Sequence, residues 1–70
     1  MKYRPVQSSS IVQAGYDPTE RTLEVEFASG KTYRYLDVDT DLGEDFFEAP
    51  SAGKFLSRYI MGHHDFKQVG

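Results

Sequence analysis

These 70 residues predict an α+β domain: a three-stranded antiparallel β-meander followed by two short helices packed on one sheet face. Three observations carry that prediction. Leu23 to Phe27 alternates apolar and acidic residues without a fault, with Thr22 polar before them, the period of a half-buried strand. Turn residues flank that run on both sides, Asp17-Pro18 before it and Ser29-Gly30 after it. Beyond Asp37 the apolar residues recur at three and four instead of two, the period of a helix face.

Residues 1–7 show no period and contain Pro5, so they read as a flexible N-terminal arm ahead of a domain spanning 8–62. Ser8-Ser9-Ser10 is a polar lead-in; no base is placed to activate a serine nucleophile. Ile11 to Tyr16 forms the first strand, with Val12, Ala14 and Tyr16 on one face and Gly15 marking a bulge or a close backbone approach. Asp17 can bond its own backbone two residues on and Pro18 presets φ, so Pro18 to Arg21 closes a hairpin. That loop pairs Tyr16 with Leu23, Ala14 with Val25 and Val12 with Phe27, which keeps the apolar sides together.

The next hairpin has a choice of register, and a one-residue slip would put every side chain on the wrong face. A two-residue turn at Ser29-Gly30 sets Val25 against Arg34 and mixes core with solvent. A three-residue loop Ala28-Ser29-Gly30, with Gly30 at positive φ, pairs Val25 with Tyr33 and Leu23 with Tyr35. Both tyrosines of Tyr33-Arg34-Tyr35 then belong to the core side and not to a base-stacking surface, while Arg34 faces the other way. The predicted core comprises Tyr16, Leu23, Val25, Phe27, Tyr33, Tyr35, Phe46, Phe55 and Ile60.

Asp41 with Glu44 has the spacing of a helix N-cap and its N3 partner, with Asp39 or Thr40 as alternative caps. Leu42, Phe46 and Ala49 would line the buried stripe with Phe47 at its margin; Gly43 weakens this helix and Pro50 ends it. Ser51 can cap a second helix whose apolar face is Phe55, Leu56, Tyr59 and Ile60. Met61-Gly62 closes it, and 63–70 reads as a C-terminal tail in which Phe66 is the docking residue.

The chain has no cysteine, which removes disulfides and thiolate metal sites and points to a reducing compartment, the cytoplasm. Neither a signal peptide nor an apolar membrane span is visible. The net charge of −3 is unevenly spread. Residues 36–49 hold six acidic groups and no basic one, whereas residues 50–70 hold Lys54, Arg58 and Lys67 against Asp65. An acidic chain does not wrap nucleic acid through a general basic surface, which leaves a local basic patch as the only such route.

From about Ser9 to Ile60 the ordered set of motifs resembles the KTSC domain, a module found at the C-terminus of some lysyl-tRNA synthetases and as a free-standing bacterial protein. The residues that carry the resemblance are the serine run with Ile11, Gly15-Tyr16-Asp17-Pro18, Leu23 to Phe27, Gly30, Tyr33-Arg34-Tyr35, Asp37-Val38, Ala49-x-Ser51-x-Gly53, Phe55 and Ile60. Asp39, Gly43 and Ser57 depart from the pattern, which usually has proline, a bulky residue and asparagine there. The resemblance implies a hairpin-plus-helix domain and RNA binding, with no catalytic residues to transfer.

Among candidate sites, Ser51-Ala52-Gly53-Lys54 stands out: free N–H groups at a helix start attract anions, Gly53 permits close approach, and Arg58 adds charge. The competing reading is an ordinary serine cap with a packing glycine. Asp37, Asp39, Asp41, Asp45 and Glu48 match calcium-loop positions, but Leu42 stands where glycine is required and a strand precedes the loop. Adjacent His63 and His64 do not point at one metal centre. The expected role is therefore non-enzymatic binding without cofactor, catalytic residue or metal. RNA would be held by Ser51, Gly53, Lys54, Arg58, Arg34 and Lys31. The alternative is a protein-interaction or homo-oligomerisation module using the acidic helix face or a sheet edge.

Overall fold

The computed structural model describes residues 1–70. Its elements in chain order are β1 (Tyr3–Pro5), β2 (Ile11–Asp17), β3 (Thr22–Phe27), β4 (Thr32–Tyr35), α1 (Thr40–Glu48), α2 (Ala52–Phe55) running on into a π-helical turn (Leu56–Ile60), and β5 (Phe66–Gln68). The five strands form one antiparallel sheet in sequence order, with no crossover. The helices lie on one face, where Ile11, Ala14, Leu23, Val25 and Tyr35 of the sheet meet Val38, Phe46, Ala52, Leu56 and Ile60 in a single buried cluster.

Both hairpins take the registers that burial demands. Tyr16 faces Leu23 and Ala14 faces Val25, while Val25 faces Tyr33 and Leu23 faces Tyr35. Asp17 Oδ1 accepts from Thr19 N at 2.9 Å, the local bond that makes its turn. Gly30 has φ 97°, a conformation closed to most side chains. Tyr35 is 2% exposed; Tyr33, Tyr16, Phe27 and Phe55 are half-buried and pack against the cluster.

Three expectations are corrected. The sheet has five strands and not three, because parts of the expected arm and tail pair with its edges: Tyr3 to Pro5 against Gly15 to Gln13, and Phe66 to Gln68 against Tyr35 to Tyr33. Such three-residue edges are exposed throughout and too short for an apolar alternation to announce them. Val12 is 48% exposed and Ile11 takes its place opposite Phe27, because the pairing slips by one residue between Ile11 and Gln13. The bulge is therefore at Val12. Of the two readings of Gly15, the close approach is the one that holds, with the Lys2 carbonyl oxygen 2.9 Å from where its Cβ would stand.

The remaining correction concerns the second helix. Tyr59 is not on the buried face: it is 49% exposed, while Leu56 and Ile60 are buried. The segment ends in a π-turn closed by Met61 N to Leu56 O at 2.8 Å. Each residue there turns through less than in an α-helix, so Tyr59 lags behind the face that Leu56 and Ile60 occupy. Asp39, one of the three possible caps, starts α1 by accepting from Leu42 N at 2.8 Å, and α1 stops before Pro50.

Gly43, a weak helix former, is buried because the Tyr16 ring lies where its side chain would be, 2.9 Å from an ideal Cβ. That ring is fixed at its far end by a 2.5 Å bond from its hydroxyl to Val38 O. Gly43→Ala should therefore destabilise the fold by about 1–3 kcal/mol in urea denaturation, overpacking outweighing the roughly 1 kcal/mol gained in helix propensity. A net stabilisation would mean that the ring moves freely. Tyr35→Ala should lower stability by about 3–5 kcal/mol, the usual loss for a deleted core aromatic, and a near-unchanged melting temperature would contradict its core position.

Candidate functional site

Alternation sends the polar residues of the strands to the face without helices. There the registers align Tyr3, Gly15, Glu24, Arg34 and Lys67 in one row across all five strands. Tyr3, which pairs with Gly15, sends its phenol across to the next strand but one and donates to Glu24 Oε1. Arg34 donates to Glu24 Oε2 from Nε at 2.7 Å and approaches it with Nη2 at 2.6 Å. Burial pushes the Glu24 pKa up, but the bonds from Tyr3 and Arg34 and the Arg34 charge outweigh it and hold the carboxyl below its usual range. The same bond to Glu24, with burial, lifts the Tyr3 pKa to about 12.

This arrangement engages Arg34, one of the expected ligand residues, with an acid on the neighbouring strand. Its side chain is 43% exposed, but its guanidinium is committed to Glu24 in the protein's one salt bridge. Lys31 is also separate: it lies at the β3–β4 hairpin beside an apolar depression of about 340 Å³ formed with Phe27, Tyr33 and Met61. Gly53 faces the serine run, where an added Cβ would stand 3.1 Å from Ser10 Oγ. The run is itself a local turn, with Ser8 Oγ accepting from Ser10 N at 3.2 Å and from Ile11 N at 3.3 Å. The glycine thus has a packing reason.

Ser51, Lys54 and Arg58 do come together. They line a depression of about 620 Å³ with Phe55, Ser57 and Tyr59. Ser51 Oγ accepts from Lys54 N at 3.4 Å, a long N-cap bond. Ser57, the residue at the usual asparagine position, donates to Lys54 O at 3.2 Å. Lys54 and Arg58 are exposed and lack an acidic partner, since the only ion pair is Arg34 with Glu24. Tyr59 rests on Phe55 with ring centroids 4.8 Å apart.

Tyr59 is the residue that reading by periodicity missed, because an α-helical repeat places it inward and only the π-turn brings it out. His64, in turn, is held away from any site: its Nδ1 donates to Leu36 O at 3.0 Å and fixes the chain leading into β5.

A model of the KTSC domain family matches residues 7–64. The chain belongs to the KTSC family. The crystal structure of a KTSC domain protein from Yersinia pestis superimposes with a TM-score of 0.94 at 38% identity, covering 99% of this chain and 97% of that one. A protein of Tsukamurella paurometabola is 43% identical over 57 residues, 81% of this chain and 85% of the relative. The lysine–tRNA ligase of Nostoc punctiforme is 36% identical over 63 residues, 90% of this chain but 11% of the ligase. The KTSC fold therefore occurs both as nearly the whole of a small protein and as a minor part of a large enzyme. No helix of this KTSC chain is long and apolar enough to cross a membrane.

The Glu24 cluster makes stability depend on pH. Its folded-state pKa lies below the unfolded value, so its contribution is present in full above about pH 4.3 and is lost as pH falls through the folded value. Glu24→Gln should lower stability by about 1.5–3 kcal/mol at pH 7, the range for hydrogen bonds to charged groups. In denaturation titrations the gap between the two proteins should narrow steadily below about pH 4.3. A gap that stays constant down to pH 2 would show that Glu24 acts by shape alone.

Proposed function

We propose that this KTSC domain is a bacterial, cytoplasmic RNA-binding module whose contact surface is formed by Ser51, Lys54, Arg58 and Tyr59. The observation that carries the reading is the pair Lys54 and Arg58, two exposed cations with no acid to neutralise them, beside an exposed tyrosine. Unpaired cations on an acidic chain favour a polyanion at that one place, since each phosphate contact releases condensed counterions. A lysine–tRNA ligase among the relatives supports RNA as the class of polyanion. The role is binding and not catalysis.

A second reading rests on a different surface. The apolar depression beside Phe27, Tyr33 and Met61, with Lys31 on its rim, suits an apolar side chain of a protein partner or of a second copy.

Fluorescence anisotropy with labelled RNA separates these readings. Binding should weaken with salt by about 0.7 log units per log salt for each phosphate contacted, and Lys54→Ala/Arg58→Ala should reduce that slope by about 1.4. Absence of binding at low salt would overturn the RNA reading. Concentration-dependent sedimentation, lost on Met61→Ser, would favour the second.

A further inference from the structure

We infer that Tyr59 is a stacking platform for an unpaired base, which makes single-stranded RNA the ligand of the Lys54 and Arg58 surface; the inference rests on the RNA-binding reading above. Three rings form a column from the core to solvent. Phe46 is fully buried, Phe55 meets it edge-on at 6.3 Å and is half-buried, and Tyr59, exposed, packs against Phe55 at 4.8 Å with its ring tilted by 47°. An exposed aromatic supported in this way loses little freedom when a base settles on it. The π-turn supplies the orientation, since it takes Tyr59 off the buried face while Leu56 and Ile60 stay in the core.

The charges complete the argument. Lys54 and Arg58 share one depression with Phe55 and Tyr59, so a strand whose base lies on Tyr59 has cations within reach of its phosphates. In a duplex both faces of every internal base are covered by neighbours, and only the two terminal pairs offer a face to an exposed tyrosine. An unpaired base offers its face, and stacking of this kind tolerates any base identity.

The test uses the full chain and an RNA of about twelve nucleotides carrying 2-aminopurine, free or annealed to its complement, beside an abasic sugar-phosphate oligomer of equal length. The single strand should bind more tightly than the duplex or the abasic oligomer, with 2-aminopurine fluorescence quenched on binding. Tyr59→Ala should weaken single-strand binding about 5- to 150-fold without changing the salt slope, and Tyr59→Phe should restore it. Equal affinity for all three oligomers, or a Tyr59→Ala protein that binds like the wild type while Lys54→Ala/Arg58→Ala loses affinity, overturns the stacking assignment and leaves the phosphate contacts standing. Failure of all three oligomers to bind overturns both readings.

Discussion

A carboxylate in the middle of the central strand organises the open face of this protein. Glu24 is taken out of water by the strands on either side, and a buried charge is tolerated only when its partners are fixed. Tyr3 and Arg34 supply them, one from an edge strand and one from the adjacent strand β4. Gly15, which lies between Tyr3 and Glu24 in the row, leaves room for the Lys2 carbonyl and the Met1 side chain, both of which a Cβ there would meet at 2.9 Å. On the opposite side of β1, Arg4 lies over the Phe47 ring at 4.2 Å. The first strand is therefore gripped from both faces by its alternating side chains, although each of its three residues is exposed.

The helical layer obeys a different constraint, that a short segment must bury Ala52, Leu56 and Ile60 and then return the chain to the sheet. The π-turn achieves both within five residues. It keeps Leu56 and Ile60 in the core and lets His63 N and His64 N bond back to Ile60 O. His64 then ties the chain to Leu36 O, and β5 follows in register beside β4. Exposure of Tyr59 is the by-product of this geometry, and it is what gives the Lys54 and Arg58 surface its aromatic member.

How much of this was legible in the sequence differs by residue for physical reasons. The registers at Leu23–Tyr35 and Val25–Tyr33 were readable because each rests on a strict period of two and a turn of fixed length. Ile11 for Val12 was not, since a bulge inserts one residue without changing composition. Val38 is fully buried between Asp37 and Asp39, where no period can mark it. Tyr16 and Gly43 fit each other, but 27 residues separate them, and one sequence shows only a poor helix former. At the candidate site, Ser51, Lys54 and Arg58 followed from spacing along one helix. The pairing of Arg34 is not legible because its partner, Glu24, lies on another strand, nor is the exposure of Tyr59, because it depends on the π-turn.

The distribution of charge gives the proposed interface a direction. Asp39, Asp41, Glu44, Asp45 and Glu48 cluster on α1 and the loop before it, while Lys54 and Arg58 lie just beyond Pro50 on the next segment. At physiological ionic strength such fields fade over about 8 Å, so they act locally and do not steer the whole protein. Close to the surface a phosphate chain is attracted by α2 and repelled by α1. A strand held at Lys54 and Arg58 is thus kept from running back over the acidic helix, and its favourable course is along the π-turn, where Tyr59 stands. On the opposite, open face of the sheet the charges are closed on themselves, because Glu24 neutralises Arg34, the cation at its centre.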